Sequence, residues 1–213
     1  MREVRTMLKL ILGLAIAIAM AVGIGAWSTR RSSLPKVGVG TDPGRVREAK
    51  DVSSLEPAVG NCLIAFSSGC FWGAEEAFRK TPGVVATAVG FMGGTSKFPS
   101  YEVAHRTGHL ETVLVEFDPN RVSIRDLLKV FWTLPLSKKA EVDGKSRLVH
   151  RAAIWVYKPD HVTIMKNDRD AEQAILNTKL AVKIAPALPF YIAEEYHQQY
   201  SEKSGKDLCP VGP

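Results

Sequence analysis

The passage from a buried strand straight into a helix, within residues 63–81, constrains the fold more than any other feature of the sequence. Residues 63–67 (LIAFS) predict a strand, and residues 71–81 predict a helix that ends at Thr81-Pro82-Gly83. Three residues, Ala74, Ala77 and Phe78, give this helix one apolar face. Such a helix buries its apolar face on another element, and the sheet to which the preceding strand belongs is the nearest surface available.

The alternation of strands and helices continues for a further hundred residues. Ser123 is the predicted N-cap of the next long helix, and Pro135 marks its end. This pattern predicts a two-layer domain of the α/β or the α+β class. By residue type and period, strands are predicted at 84–91, 109–117, 152–158 and 184–193, and helices at 123–134 and 161–179.

The positive charge of the chain is concentrated at its N-terminus. The formal net charge is +6 for the whole sequence, and residues 1–40 carry six basic residues against one acidic residue, a net of +5. Residues 41–213 are therefore left with +1, which is nearly neutral. Nucleic-acid binding by the folded part loses its main support, because that binding depends on clustered basic side chains.

An apolar run at residues 10–27 predicts a membrane-directed leader. Basic residues flank the run on both sides, and its length fits either an uncleaved anchor or a signal peptide cleaved near Ile24-Gly25-Ala26. We therefore expect a signal anchor or signal peptide at 1–30, a flexible linker at 31–60 and a folded domain at 61–213. The domain would be membrane-anchored or exported, on a periplasmic or extracytoplasmic face.

Three cysteines are too few for a disulfide scaffold, and neither their spacing nor that of the histidines predicts a metal site. Cys70 lies where the predicted strand passes into the helix, and the free N–H groups of a helix start stabilise a thiolate. Phe71 and Trp72 follow and predict an apolar wall beside the sulfur. These residues alone leave open a reactive or a buried structural Cys70, whereas Cys62 is predicted to be structural.

Five segments together resemble the A-type peptide methionine sulfoxide reductases, over roughly residues 60–210. The resemblance implies an α+β fold, a two-layer α/β sandwich with the mixed sheet and ferredoxin-like arrangement of the MsrA-type fold, and a catalytic domain at 61–213. The sequence shows no heptad pattern or large apolar stripe, so we expect a monomer. The segments are SSGCFWGAEEAFRKTPGVVATAVGFMGG at 67–94, Pro99-Ser100-Tyr101, TGHLE at 107–111 with VEFDP at 115–119, LLKVFW at 127–132, and PFYIAEEYHQQY at 189–200.

The resemblance implies thiol-dependent reduction of the S epimer of methionine sulfoxide, protein-bound or free, as a repair activity under oxidative stress. Cys70 matches the nucleophile, Phe71 and Trp72 match the pocket for the substrate methyl group, and Glu111 matches the acid that protonates the sulfoxide oxygen. Cys209 matches the thiol that resolves the Cys70 sulfenic acid to a disulfide. The reductant would be thioredoxin or another dithiol, with no cofactor.

Two substrate-binding positions depart from the family pattern. Phe91 and His150 stand where the family has tyrosines that orient the sulfoxide oxygen, and the stretch at 143–153 is altered as a whole. The loss of one such hydroxyl donor typically lowers turnover by about 100- to 1000-fold. A degenerate, non-catalytic module that binds oxidised or methionine-rich peptides at the membrane is therefore the alternative function, and a thiol peroxidase or redox sensor is the third.

Overall fold

A computed structural model describes residues 57–141 and 152–205 of the chain. One sheet has six strands, β1 Cys62–Ser68, β2 Val84–Met92, β3 Leu110–Phe117, β4 Ala152–Val156, β5 Val182–Pro186 and β6 Tyr191–Ile192. The helices are α1 Phe71–Arg79, α2 Tyr101–Ala104, α3 Ile124–Phe131, α4 His161–Leu176 and α5 Tyr200–Ser204, and a 3₁₀ turn spans Glu195–His197. The strand order is β5-β4-β1-β3-β2-β6.

The predicted α+β class with a mixed sheet is confirmed. Strand β4 pairs parallel with β5, and the other neighbouring strands pair antiparallel. Ser123 caps α3 as predicted, because its side chain accepts from the Asp126 N–H in a capping box. Helix α4 ends earlier than predicted, since Asn177 takes the left-handed conformation that closes a helix.

The single strand predicted at 184–193 is wrong. The structure has two strands there, β5 and β6, at opposite edges of the sheet. Pro186 and Pro189 lack the N–H that a continuous strand would donate along its ladder. The segment between β5 and β6 crosses the sheet face, and the Phe190 side chain of this segment is fully buried.

The two faces of the sheet are covered differently. On one face the helices α1, α3 and α4 contribute Phe78, Leu127 and Met165 to the larger apolar core. The rings of Phe66 and Phe78 stack there with centroids 4.6 Å apart. The smaller core on the other face includes Phe190 from the crossing segment, among Leu63, Ala65, Ala88, Met92, Leu114, Ala153 and Trp155. The helices and the sheet therefore form the two layers that the sequence pattern predicts.

The Gln198 side chain extends the hydrogen bonding of the sheet beyond β6. Its Oε1 accepts from the Val89 N–H at 2.8 Å, and its Nε2 donates to the Val89 carbonyl at 2.9 Å. The same Nε2 donates to the Ala193 carbonyl at 2.9 Å. One buried side-chain amide thus satisfies both backbone groups of Val89 and ties the C-terminal segment to β2.

Some of the predicted features lie outside the described residues. These are the leader at 1–30, the linker as far as residue 56, and the residues His150 and Cys209. The last linker residues are held against β3, because the Ala58 N–H donates to Glu116 Oε1 at 3.0 Å. Within residues 57–141 and 152–205, no helix has the length and apolar character needed to cross a membrane.

Candidate active site

Cys70 is the N-cap residue of α1 and is exposed to solvent. Gly69 places it there by adopting a φ of +82°, a left-handed conformation that turns the end of β1 into the start of α1. A side chain at Gly69 would also meet Leu136, whose Cδ1 would lie 3.0 Å from the added Cβ. The sulfur therefore stands at the positive end of a nine-residue helix, where an anion is stabilised.

Phe71 and Trp72 form an aromatic wall next to Cys70. The Phe71 ring is buried, and its centroid lies 5.9 Å from that of Phe91. Trp72 stacks on Tyr200 with centroids 4.0 Å apart and an interplanar angle of 10°. The Trp72 Nε1–H donates to His197 Nδ1 at 3.0 Å. These contacts fix the orientation of the indole and leave an apolar surface suited to a thioether or its methyl group.

Glu111 lies beside the nucleophile. The Phe71 N–H donates to Glu111 Oε2 at 3.0 Å, so the acid binds the residue that follows Cys70. Its side chain is only 12% exposed, and His105 Nε2 lies 3.3 Å from its Oε1. Burial raises the pKa of Glu111, and the Phe71 N–H and His105 partly oppose that rise. A carboxyl group in this setting retains a proton that it can donate.

Phe91 is fully buried and lies opposite Glu111 in the β2–β3 ladder. Side chains opposite each other share a face of the sheet, so the Phe91 ring faces the acid without offering it a hydroxyl. Tyr101 brings a hydroxyl to the same site, because its ring centroid is 6.4 Å from those of Phe71 and Phe91. Burial, followed by the charges of Glu111 and Cys70, raises the pKa of Tyr101, so its phenol remains a donor.

His197 supports the aromatic wall from behind. It is 2% exposed, and burial lowers its pKa although Glu194 opposes that shift. The neutral ring accepts the Trp72 Nε1–H at Nδ1, which leaves the ring hydrogen on Nε2. Nε2 has no hydrogen-bond partner among the residues that the structure describes. The role visible here is the orientation of Trp72 by a neutral imidazole.

Glu75 is a second buried acid, on α1. It accepts from the Thr87 hydroxyl at 3.0 Å and from the Gln199 N–H at 2.6 Å, so it joins the nucleophile helix to β2 and to the turn before α5. Burial raises the pKa of Glu75 to about 7, although both hydrogen bonds lower it. Its position four residues after Phe71 and three before Phe78 places it on the apolar face of α1. That spacing is the signal that would have identified it.

Five of the predicted site residues come together in the structure, Cys70, Phe71, Trp72, Phe91 and Glu111. The other two, His150 and Cys209, lie outside the described residues, and α5 is described up to its cap at Gly205. The sequence interpretation missed three residues that contact this group, namely Tyr101, His105 and Tyr200, and it also missed Glu75 on the same helix as Phe71. Within the described ranges, no cluster of side chains is suited to hold a metal ion.

Comparison with known proteins identifies the family. The family model for peptide methionine sulfoxide reductase matches residues 62–212. Peptide methionine sulfoxide reductase MsrA of Methanoculleus marisnigri is 42% identical over 153 residues, 68% of this chain and 91% of that relative. Peptide methionine sulfoxide reductase A2 of Arabidopsis thaliana is 40% identical over 155 residues, 70% of each chain. The solved methionine sulfoxide reductase A of Corynebacterium diphtheriae is 30% identical, with a TM-score of 0.60 and coverage of 73% of this chain and 81% of that one.

These matches span the strands and helices that build the site, from β1 to α5. The chain belongs to the peptide methionine sulfoxide reductase family, and by that membership it is an oxidoreductase that acts on methionine sulfoxide.

Proposed function

We propose that the chain reduces the S epimer of methionine sulfoxide with Cys70 as nucleophile and Glu111 as acid. One observation carries the assignment of these two residues. The Glu111 carboxyl accepts from the Phe71 N–H at 3.0 Å, so the acid is held one residue away from the exposed thiol. Reduction of a sulfoxide requires a nucleophile that attacks the sulfur and a proton for the departing oxygen. Cys70 would supply the nucleophile, and Glu111 would supply the proton.

The first half of the cycle transfers oxygen to the enzyme. The Cys70 thiolate attacks the sulfoxide sulfur while Glu111 gives its proton to the sulfoxide oxygen. Oxygen then passes to the Cys70 sulfur, which becomes a sulfenic acid, and methionine leaves with its sulfur reduced by two electrons. The start of α1 stabilises the thiolate form of Cys70, and burial raises the pKa of Glu111, so each environment favours the form that its step requires.

The second half of the cycle regenerates the thiols of Cys70 and Cys209. We propose that the Cys209 thiol attacks the Cys70 sulfenic acid, forming a disulfide and releasing water. A dithiol such as thioredoxin would then reduce that disulfide by two electrons. All electrons in this cycle come from thiols, so it uses no metal and no organic cofactor. The oxidised methionine would be carried by a protein, a peptide or the free amino acid.

The arrangement of the acid argues against a module that only binds peptides. A binding surface for oxidised methionine gains nothing from a carboxyl group whose pKa is raised and whose position is fixed beside a thiol. The site also retains a phenol although Phe91 has none, because burial and the charges of Glu111 and Cys70 raise the pKa of the nearby Tyr101. The binding-only function is therefore the less favoured one.

We also propose that the domain works at a membrane or after export. The support is the apolar run at residues 10–27 with basic residues on both sides. Expression of the full chain and of a variant without residues 1–30, followed by separation of membrane, exported and cytoplasmic fractions, tests this proposal. Equal distribution of the two forms would contradict it.

The activity itself is tested with separated epimers of a methionine sulfoxide substrate and dithiothreitol as the reductant. We expect the S epimer to be reduced and the R epimer to be left unchanged, with both a free amino acid and an oxidised peptide as substrates. A second assay replaces dithiothreitol by thioredoxin, thioredoxin reductase and NADPH, and follows NADPH oxidation. Binding of the oxidised peptide without turnover would instead support the module that only binds.

A further inference from the structure

The two oxygens of Glu111 have different neighbours. Oε2 accepts the Phe71 N–H at 3.0 Å, whereas Oε1 lies 3.3 Å from His105 Nε2. An oxygen that already accepts an amide hydrogen is the less favourable place for a proton of its own. Oε1 is therefore the favoured oxygen for the proton of the acid, and it is the oxygen that His105 faces.

His105 connects this oxygen with solvent. Its side chain is 49% exposed, compared with 12% for Glu111. The Tyr101 ring meets the imidazole edge-on, with centroids 5.4 Å apart and an interplanar angle of 90°. The imidazole thus has a defined orientation, one edge on the acid and the rest of the ring accessible to water and to small solutes.

A cation near Glu111 Oε1 would stabilise the site after proton transfer. After Glu111 has given up its proton it is a carboxylate in a buried setting, and desolvation makes that form costly. Phe91, opposite Glu111 in the ladder, offers no hydroxyl to stabilise the new charge. The Phe71 N–H already offsets part of it from Oε2 at 3.0 Å, and a protonated imidazole 3.3 Å from Oε1 would add a full positive charge on the other oxygen.

We propose that His105 is a positioning residue for the acid, which orients Glu111 Oε1, balances its negative charge after proton transfer and returns a proton to it. The inference rests on the proposed function. In the return step the imidazolium Nε2–H passes to Oε1, which leaves a neutral imidazole and a neutral carboxylic acid. The imidazole takes its next proton from solvent only after Glu111 has again given up its own, because one hydrogen at a time can lie between Nε2 and Oε1. One proton thus enters per turnover, and no electrons move.

The test uses the full chain with His105→Ala, His105→Gln and, as a matched control, His161→Gln. His161 also lies near a carboxylate, with Nε2 3.9 Å from Asp160 Oδ1, but it begins α4 beyond the far end of β4. The single-turnover rate and the steady-state rate with dithiothreitol are both measured against the concentration of methionine sulfoxide, with and without added imidazole, because only the steady-state rate includes the return of the proton to Glu111. Thermal unfolding of each variant verifies that it folds.

We expect both His105 variants to lower the maximal rate by about 10-fold, part of the 100- to 10,000-fold that general acid catalysis supplies. The half-saturating concentration should stay within about twofold, because His105 acts through Glu111 and not on the substrate. Added imidazole should restore His105→Ala but not His105→Gln, whose side chain fills the space. The control should match the wild type.

A wild-type rate in His105→Gln would overturn the inference, since a neutral donor would then suffice. Failure of imidazole to restore folded His105→Ala would also overturn the proton-carrying role. If the wild type itself reduces no methionine sulfoxide, the proposed function fails, and this inference fails with it. If the wild type is active and both His105 variants keep its maximal rate, the role of His105 is contradicted while the proposed function stands.

Discussion

Strand β1 has a cysteine at each end, and the two ends differ in almost every physical respect. Cys62 begins the strand, is 7% exposed and accepts from Lys158 Nζ at 3.2 Å. Cys70 lies just past the other end, exposed at the start of α1 and one residue from the N–H that Glu111 binds. The same side chain is thus packed into the core at one end and presented to solvent beside an acid at the other.

The difference shows that a reactive cysteine is made by its neighbourhood. Attack on a sulfoxide requires access, stabilisation of the thiolate and a proton donor within reach. The Cys62 end provides a cationic neighbour but little access. The Cys70 end provides exposure, a helix start and a buried acid, so we expect the chemistry to be confined to it.

The largest expected effect is the loss of activity in Cys70→Ser. A serine hydroxyl is a far weaker nucleophile at neutral pH, so reduction of methionine sulfoxide should fall below detection, at least about 1000-fold. Cys62→Ser is the matched control and should retain most of the wild-type rate. The assay is reduction of the S epimer with dithiothreitol. Equal losses in both variants would contradict the contrast between the two ends of β1.

The next effect is expected from Glu111→Gln. The amide oxygen can still accept the Phe71 N–H, but the side chain has no proton of suitable acidity to give the sulfoxide oxygen. Turnover should fall by about 100- to 1000-fold, while alkylation of Cys70 by iodoacetamide stays near the wild-type rate. A large loss of alkylation in this variant would mean that Glu111 serves to stabilise the Cys70 thiolate and not to protonate the departing oxygen.

Glu75→Gln should change how stability depends on pH. The pKa of Glu75 is raised from 4.5 to about 7 in the folded chain, so between these values the folded state binds more protons than the unfolded state. Its contribution to stability is complete below about pH 4.5 and is lost as the pH rises through about 7, by about 3 kcal/mol. The glutamine side chain of the variant is neutral throughout this range, so the variant should lack this decline.

The measurement is the free energy of unfolding in urea at several pH values from 4.5 to 7.5, for wild type, Glu75→Gln and Glu76→Gln. Glu76 precedes Lys80 by one turn on the same helix and pairs with it near the surface, so its variant controls for a lost carboxylate on α1. The difference in the free energy of unfolding between wild type and Glu75→Gln should change with pH, whereas the free energy of Glu76→Gln should change with pH as that of the wild type does. Parallel curves for all three would contradict the prediction.

The smallest effect is expected from Lys158→Met, at the Cys62 end. Lys158 is exposed, and an exposed charged side chain typically contributes less than about 1 kcal/mol through one polar contact. Activity and the free energy of unfolding should both stay close to the wild type. If turnover instead fell by more than about tenfold, the Cys62 end would have a part in the chemistry and the contrast would weaken.

The sequence predicts the elements that depend on local patterns and misses contacts between distant ones. Strand β1 and helix α1 follow from apolar periodicity within about twenty residues. The bond between the Phe71 N–H and Glu111 joins residues 40 positions apart, and only the resemblance to a family brought them together. His105 has no local signal at all, because its relevance comes from the distance to an oxygen on a neighbouring strand. Pro186 and Pro189 indicate that the segment 184–193 is divided into two strands, but its apolar residues by themselves predict one continuous strand.

The amide of Gln198 has a consequence for how the domain behaves in a crowded solution. Strand β6 has only two residues and leaves most of β2 without a neighbouring strand at that edge. Unpaired N–H and carbonyl groups along an edge are a template on which a strand of another molecule can dock. Gln198 occupies both groups of Val89 and is itself buried, so an incoming strand finds that rung already taken. Together with the Ala193 N–H, which also donates to the Val89 carbonyl, this side chain thereby blocks the addition of a strand at that position of the edge.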